Sequence, residues 1–196
     1  MDHPARWIRL EPEGVSGIVS VCRGYARAQQ SRDAPVCLWG RVWEPVRLGA
    51  GVWAEPGQYA FALLVPSLRA PGRNDRWLSW GLSPVVSALR RFGAHAYLEG
   101  ASVCLQGERV GGGCAVAMDG CAVVLGCFPG QSPGPAERGA LLEFDPWLSA
   151  LNREGSARQI LAAFRSSLEQ QHGWQFDTAW PSDAELSAIT AAAACT

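Results

Sequence analysis

Short apolar blocks run through the middle of the chain, separated by glycine, proline and polar residues. Apolar runs of about four to eight residues between turn residues are typical of β-strands. The blocks between residues 94 and 128 follow one another with very short connections, which predicts antiparallel neighbours. We predict strands over residues 7–10, 34–43, 59–66, 94–99, 101–105, 110–118 and 121–128, with a further short strand over 174–178.

Helical spacing of apolar residues appears before and after these blocks. Residues 18–30 place Val19, Cys22, Tyr25 and Ala26 on one side of a helix. Ser83 precedes Pro84 and is a suitable N-cap, so a helix is predicted over 83–92. Further helices are predicted over 144–151, 156–171 and 182–194, the last with the Ser182 and Glu185 spacing of a capping box.

Helices interleaved with mostly antiparallel strands predict a single α+β domain over residues 1–196, with one mixed sheet flanked by helices. The C-terminal helices over 144–194 are expected to pack on it. A hydrophobic content of 48% with 18% charged residues supports a sizeable core. There is no internal repeat.

Charge indicates which partners to expect. The formal net charge is −1, from 17 basic and 18 acidic residues, so no overall field attracts nucleic acid or an anionic membrane. The chain has no apolar run long enough to span a bilayer, and its first residues do not resemble a signal peptide. A cytoplasmic protein that binds neither nucleic acid nor membrane is expected, while the oligomeric state is not indicated.

The seven cysteines are odd in number and have no CxxC spacing. Because most lie in apolar blocks, we interpret them as buried free thiols. A metal site or disulfides stay open as the alternative, since Cys114, Cys121 and Cys127 fall on neighbouring predicted strands. All 17 basic residues are arginine, so no side-chain amine is available for chemistry.

The candidate chemistry centres on a predicted hairpin. Gln106 and Gly107 form a tight turn between two apolar blocks, and Arg109 and the consecutive glycines at 111–113 follow. Three glycines weaken a strand, so they indicate a bulge or the close approach of a backbone or ligand. If a ligand approaches here, the positive charge of Arg109 next to glycine N–H groups that no side chain covers would suit a carboxylate, a phosphate or an acyl carbonyl.

A glycine- and proline-rich loop over residues 44–58 joins two apolar blocks and is a second candidate for function. With the hairpin it resembles the biotin/lipoate protein ligase and octanoyltransferase family over roughly residues 7–187. The loop motif is Trp43-Glu44-Pro45, Arg47-x-Gly49 and Trp53-x-x-Pro56-Gly57-Gln58. The hairpin motif is Gly107-Glu108-Arg109-Val110-Gly111-Gly112, followed by Leu125-Gly126 where the family has His-Gly.

The resemblance implies a fold like that of biotin synthetase and the class II aminoacyl-tRNA synthetases, with an acyl-binding cleft. Arg109 would be the catalytic residue that contacts the acyl carbonyl. The implied substrate-binding residues are Arg47, Gly49, Gly51, Trp53, Gln58, Gly111, Gly112 and Gly113. ATP with Mg²⁺, and lipoate or octanoate, are implied as possible substrates and not as permanent cofactors. No metal site is implied, and the expected partner is a lipoyl-domain protein that accepts the acyl group on a lysine.

Several family residues are replaced. Arg109 stands where the family has a lysine, Ala54 where it has a histidine, and no cysteine lies near Ser156, where transferases have theirs. Two hypotheses follow. The chain is either a lipoate ligase or acyltransferase that uses Arg109, or a non-catalytic relative that binds a lipoyl domain, an acyl ligand or a partner subunit. Trp53, Trp77 and Trp80 either line the acyl cleft or belong to the core.

Overall fold

The computed structural model describes residues 3–29, 33–49, 51–129 and 156–194. The helix predicted over 144–151 and residue Cys195 lie outside the described residues. Within the described ranges, ten strands form two sheets. They are β1 (His3–Arg9), β2 (Val36–Arg41), β3 (Val46–Gly49), β4 (Val52–Ala54), β5 (Gln58–Pro66), β6 (Ala96–Glu99), β7 (Ser102–Leu105), β8 (Glu108–Met118), β9 (Cys121–Pro129) and β10 (Trp174–Thr178).

The main sheet has eight strands in the order β10-β1-β2-β5-β9-β8-β7-β6, and β3 and β4 form a separate two-stranded sheet. Strand β1 runs parallel to both β10 and β2, whereas the other neighbours are antiparallel. The prediction of a mixed, mostly antiparallel sheet is therefore confirmed. The helices are α1 (Pro12–Ser16), α2 (Ile18–Ala28), α3 (Trp77–Arg90), α4 (Ser156–His172) and α5 (Asp183–Ala193).

Tight turns join β6 to β9 into a meander. Gln106 and Gly107 have φ values of 51° and 89°, and Asp119 and Gly120 have 43° and 82°. Two successive positive φ values are characteristic of the two-residue turns that match the twist of antiparallel strands. The predicted hairpin at Gln106 and Gly107 is confirmed.

The sheet separates two hydrophobic cores. The helix face is covered by α3 and α4, with Phe61, Phe128 and Phe164 at its centre. The hairpin face is covered by α2 and by the β3–β4 hairpin, and α5 packs on α2. Cys22, Cys37, Cys104, Cys121 and Cys127 are buried and Cys114 is half-buried, all with free thiols. No helix within the described residues has the length and apolar character needed to cross a bilayer.

The predicted start of helix α3 at Ser83 is wrong, because the helix begins at Trp77 and contains Pro84. Pro84 has no N–H for the carbonyl of Trp80, and the Ser83 hydroxyl donates to that carbonyl instead, at 3.2 Å. Trp77 is buried in the core, and Trp80 packs against His172 and Trp174. The core alternative is therefore correct for both tryptophans.

Two glycines let helix α3 approach strand β9 closely. A Cβ on Gly81 of α3 would stand 2.7 Å from Cγ1 of Val124 on β9, and a Cβ on Gly126 of β9 would stand 3.1 Å from Cδ2 of Leu82 on α3. The first distance is shorter than real side chains show and the second is tighter than ordinary contact, so glycine at both positions lets the helix and the sheet pack at this spacing.

We expect Gly81→Ala to lower the free energy of unfolding by about 1–3 kcal/mol, because the added methyl group pushes α3 away from Val124. Urea denaturation monitored by circular dichroism measures the change. Gly72→Ala is the matched control, since a Cβ there meets nothing within 4 Å. Equal stability of the two variants would contradict the close-packing argument.

His172 makes the stability of the fold depend on pH. Its ring stacks on Trp80 with centroids 4.2 Å apart, and burial lowers its pKa to about 4. The unfolded chain, with an ordinary histidine pKa near 6.5, binds the proton more readily. Stability is therefore complete above about pH 6.5 and falls between pH 6.5 and 4, by up to about 3 kcal/mol.

We expect His172→Phe to keep the stacking and to flatten the pH dependence of the urea midpoint between pH 7 and 4.5. His95→Phe is the control, because His95 is exposed and makes no ring contact among the described residues. If the urea midpoint of His172→Phe still falls with decreasing pH as much as that of the parent protein, the pH dependence comes from groups other than His172.

Candidate functional site

Arg109 lies on the hairpin face of the main sheet, directly after the turn at Gln106 and Gly107. It pairs with Cys104, whereas Gly111 pairs with Val103, so Val110 is an extra residue on β8. This is a β-bulge, which is one of the two interpretations of the glycine run. The bulge bends the strand beside the arginine.

The Arg109 side chain lies back along its own strand. Its Nε donates to the carbonyl oxygen of Gly111 at 3.3 Å, and a Cβ on Gly112 would stand 3.3 Å from Nη2. The side chain is exposed, and no carboxylate of the described residues forms an ion pair with it. Its positive charge is therefore available to an external anion.

The other two glycines of the run serve packing. A Cβ on Gly111 would collide with the carbonyl oxygen of Cys127 on β9. Gly113 is on the helix face, where a Cβ would stand 3.1 Å from Leu82, and its N–H donates to the carbonyl of Ala101. Leu82 therefore covers Gly113, one of the implied substrate-binding residues, on the face opposite to Arg109.

The β3–β4 hairpin turns an apolar side toward the sheet. Leu48 and Ala54 are buried against it, while Arg47 and Trp53 pair across the two strands on the outer, exposed side. Strand alternation therefore points Arg47 and Trp53, two of the implied substrate-binding residues, away from the main sheet. Gly51 has a φ of 71° at the turn between the two strands, and a Cβ there would meet nothing within 4 Å.

Two thiols hold the hairpin directly on the sheet. Cys114 on β8 donates to the carbonyl of Leu48 at 3.3 Å, and Cys127 on β9 donates to the carbonyl of Trp53 at 3.5 Å. Gly49 lies so close to Cys114 that a Cβ would collide with Sγ. The hairpin and the sheet therefore touch where the resemblance implies an acyl cleft.

Gln58 also has a structural role in the described conformation. Its Oε1 accepts from the backbone N–H of Glu55 at 2.9 Å, and its Nε2 donates to the carbonyl of the bulged Val110 at 3.0 Å. Both ends of the amide are used, so Gln58 ties the loop after β4 to the bulge beside Arg109.

Electrostatics keep the thiols protonated. Burial raises the pKa of Cys114, and it raises the pKa of Cys127 to about 11. Both thiols are therefore hydrogen-bond donors and not nucleophilic thiolates at neutral pH. Ala54, at the position of the family histidine, is buried and offers no base. Sequence reasoning did not assign Cys114 and Cys127 to the site, although alternation from Gly112 along β8 places Cys114 on the same face.

A second polar region lies on β1, four strands away from β8. Arg6 and Glu185 form an ion pair there, and Glu185 also completes the capping box with Ser182. A cavity of about 280 Å³ lies beside them, lined also by Gln29 and Asp33. Because Arg6 is bound to Glu185 and to the Trp180 carbonyl, this region stabilises the contact of α5 with the sheet. No group of three or more metal-binding side chains occurs within the described residues.

No family model and no curated protein matches the sequence. Solved structures do match. A proposed lipoate protein ligase from T. acidophilum with bound lipoic acid has a TM-score of 0.74 at 11% identity, covering 97% of this chain and 94% of that chain. The archaeal bipartite lipoate protein ligase, studied with its E2 lipoyl domain from Thermoplasma acidophilum, has a TM-score of 0.73 at 14% identity, covering 96% and 91%.

A lipoate-protein ligase A bound with ATP has a TM-score of 0.66 at 13% identity, covering 97% of this chain and 94% of that chain. Biotin protein ligases match with lower TM-scores. At these identities the similarity is one of fold. The chain therefore has the α+β fold of the lipoate and biotin protein ligases, as the resemblance implied.

We expect Gly49→Ala to lower the free energy of unfolding by about 1–2 kcal/mol, because the new methyl group displaces the Cys114 thiol from the carbonyl of Leu48. In the double variant Gly49→Ala/Cys114→Ala, the sulfur that the new methyl group would meet is absent. The double variant should therefore lose less free energy of unfolding than the two single variants lose in sum. A double-mutant cycle in urea measures this coupling. Strictly additive changes would show that the hairpin does not rest on Cys114.

Proposed function

We propose that the chain binds a lipoyl or octanoyl group on the hairpin face and passes or presents it to a lysine of a lipoyl domain. The observation that carries the proposal is Arg109, an exposed cation without an ion-pair partner among the described residues, beside the β3–β4 hairpin. The fold supports it, since lipoic acid and ATP are bound in two of the solved structures that match.

Arg109 suits the polar end of such a ligand. A guanidinium stays charged at every physiological pH and offers two parallel N–H donors to a carboxylate. It can therefore bind the carboxylate of the free acid or polarise an acyl carbonyl, but it cannot accept a proton. ATP with Mg²⁺ is the candidate co-substrate if the acid is first activated as an adenylate.

The apolar tail would lie between the hairpin and strands β8 and β9. Leu48 and Val52 of the hairpin and Leu125 of β9 are buried at this interface. The hairpin is a separate sheet, held over β8 and β9 by apolar contacts and two weak S–H donors. A thin alkyl chain could replace the Leu48 contacts if the hairpin moves outward.

The alternative is a pseudoenzyme that binds a lipoyl domain or another protein without catalysis. Acyl transfer to an amine needs a base, whereas Ala54 is apolar and the nearby thiols are protonated. The outer side of the hairpin also favours protein binding. Trp53 is 49% exposed beside Arg47, Trp43 is 61% exposed under Arg41 at 4.8 Å, and tryptophan and arginine are enriched at interface hot spots.

Calorimetric titration with lipoate and octanoate tests the binding proposal. Arg109→Ala should weaken binding by about 10- to 100-fold, the value of a hydrogen bond to a charged group. Arg47→Ala is the matched control, because it removes an equal charge from the outer side of the hairpin and should leave the affinity unchanged. Unchanged affinity in Arg109→Ala would reject Arg109 as the carboxylate contact.

Incubation with an apo lipoyl domain, ATP, Mg²⁺ and either acid separates the two functions. A gain of mass on the acceptor that Arg109→Ala abolishes supports the enzyme. Binding of the acceptor without any gain of mass supports the pseudoenzyme, and its loss in Trp53→Ala would place the contact on the outer side of the hairpin. A protein that binds neither acid nor the acceptor would contradict both.

A further inference from the structure

Strand β8 is longer than its neighbour β7, and this leaves part of its edge open. Strand β7 pairs with β8 only from Glu108 to Gly112, and the last bond on this side runs from the Gly113 N–H to the carbonyl of Ala101. Residues 114–118 continue to pair with β9 on the other side. Within the described residues no strand covers this segment, which we term the open β8 edge (residues 114–118).

The direction of the free backbone groups follows from strand alternation. The Gly113 N–H points toward β7, so the N–H and C=O groups of Ala115 and Ala117 point to the same side. No described residue hydrogen-bonds to them there. The open β8 edge therefore presents two complete donor–acceptor pairs.

This edge has none of the features that usually prevent strand pairing. Exposed edges generally have charged residues, proline or a bulge. Residues 114–118 are Cys, Ala, Val, Ala and Met, and Val116 is 38% exposed. The two outer strands of the sheet differ, because β6 is short and ends at Glu99, and β10 contains the exposed Asp177.

We propose that a second copy of this chain pairs with the open β8 edge, antiparallel and about a two-fold axis at Val116. In this register Ala115 lies opposite the partner's Ala117 and Ala117 opposite the partner's Ala115. Each copy contributes two N–H and two C=O groups, which make four hydrogen bonds. A register shifted by one residue would place Ala115 and Ala117 opposite partner residues whose N–H and C=O groups point toward β9. None of the four hydrogen bonds could then form.

The flanking residues fit the same arrangement. The segment is symmetric in size about Val116, with alanine on either side, and the two Val116 side chains meet across the axis as a directly opposed pair. The nearest charge, Asp119, is paired with Arg27. The two copies of Asp119 would be about 20 Å apart, at about 3.4 Å per residue, so like charges do not meet. This isologous contact closes as a dimer and does not propagate.

Charge substitution at Val116 tests the register directly. We expect the full chain to sediment as a dimer, and Val116→Lys and Val116→Glu each to sediment as a monomer, because the axis opposes two like charges. An equimolar mixture of these two variants should recover the dimer, since lysine then meets glutamate. Tyr97→Lys, a matched change at the partly exposed β6 edge, should not alter the dimer.

Sedimentation equilibrium measures each case, and circular dichroism confirms that the variants remain folded. A monomeric parent protein at the highest soluble concentration would overturn the proposal. A dimer that persists in both Val116 variants, or that Tyr97→Lys disrupts instead, would also overturn it. Recovery in the mixture requires both variants to fold, so it distinguishes loss of pairing from misfolding.

Discussion

The close approach of backbones around strands β8 and β9 is the constraint on which the rest of the structure depends. On the helix face, Gly81 and Gly126 bring helix α3 onto the sheet. On the hairpin face, Gly49 brings the β3–β4 hairpin onto Cys114, and Gly112 leaves room for the Arg109 guanidinium. Because a side chain at Gly81 or Gly49 would push the helix or the hairpin away from the sheet, the spacing between these layers is set at positions where no Cβ is present.

The same constraint determines what the candidate site can do. Direct contact between hairpin and sheet buries Cys114 and Cys127, and burial keeps their thiols protonated. Arg109 remains outside this contact, exposed and without a carboxylate partner among the described residues. The described part of the site therefore combines a permanent cation with an apolar interface and offers no base, which suits recognition of an acid better than proton transfer.

Short sequence patterns predicted much of the fold, because turns and helix ends are determined by residues that are close together in the chain. The turn at Gln106 and Gly107 requires positive φ, and the Ser182 capping box satisfies its own helix end. The start of α3 was missed, since Ser83 and Pro84 look like a helix start while burial of Trp77 and Trp80 extends the helix past them. The position of Arg109 after the turn follows from the local motif, whereas the orientations of Arg47, Trp53 and Gly113 depend on register and packing that no short motif records.

The sequence by itself determined the α+β class, the order of most elements, the absence of any amine side chain and the position of one arginine after a glycine-rich turn. These properties follow from composition and from contacts between residues near in the chain. Only the tertiary structure decided that the hairpin contacts β8 and β9, that Gly113 faces α3, and that residues 114–118 of β8 have an open edge within the described residues. The physical reason is that these features arise from contacts between distant segments, whose spacing depends on how whole layers pack.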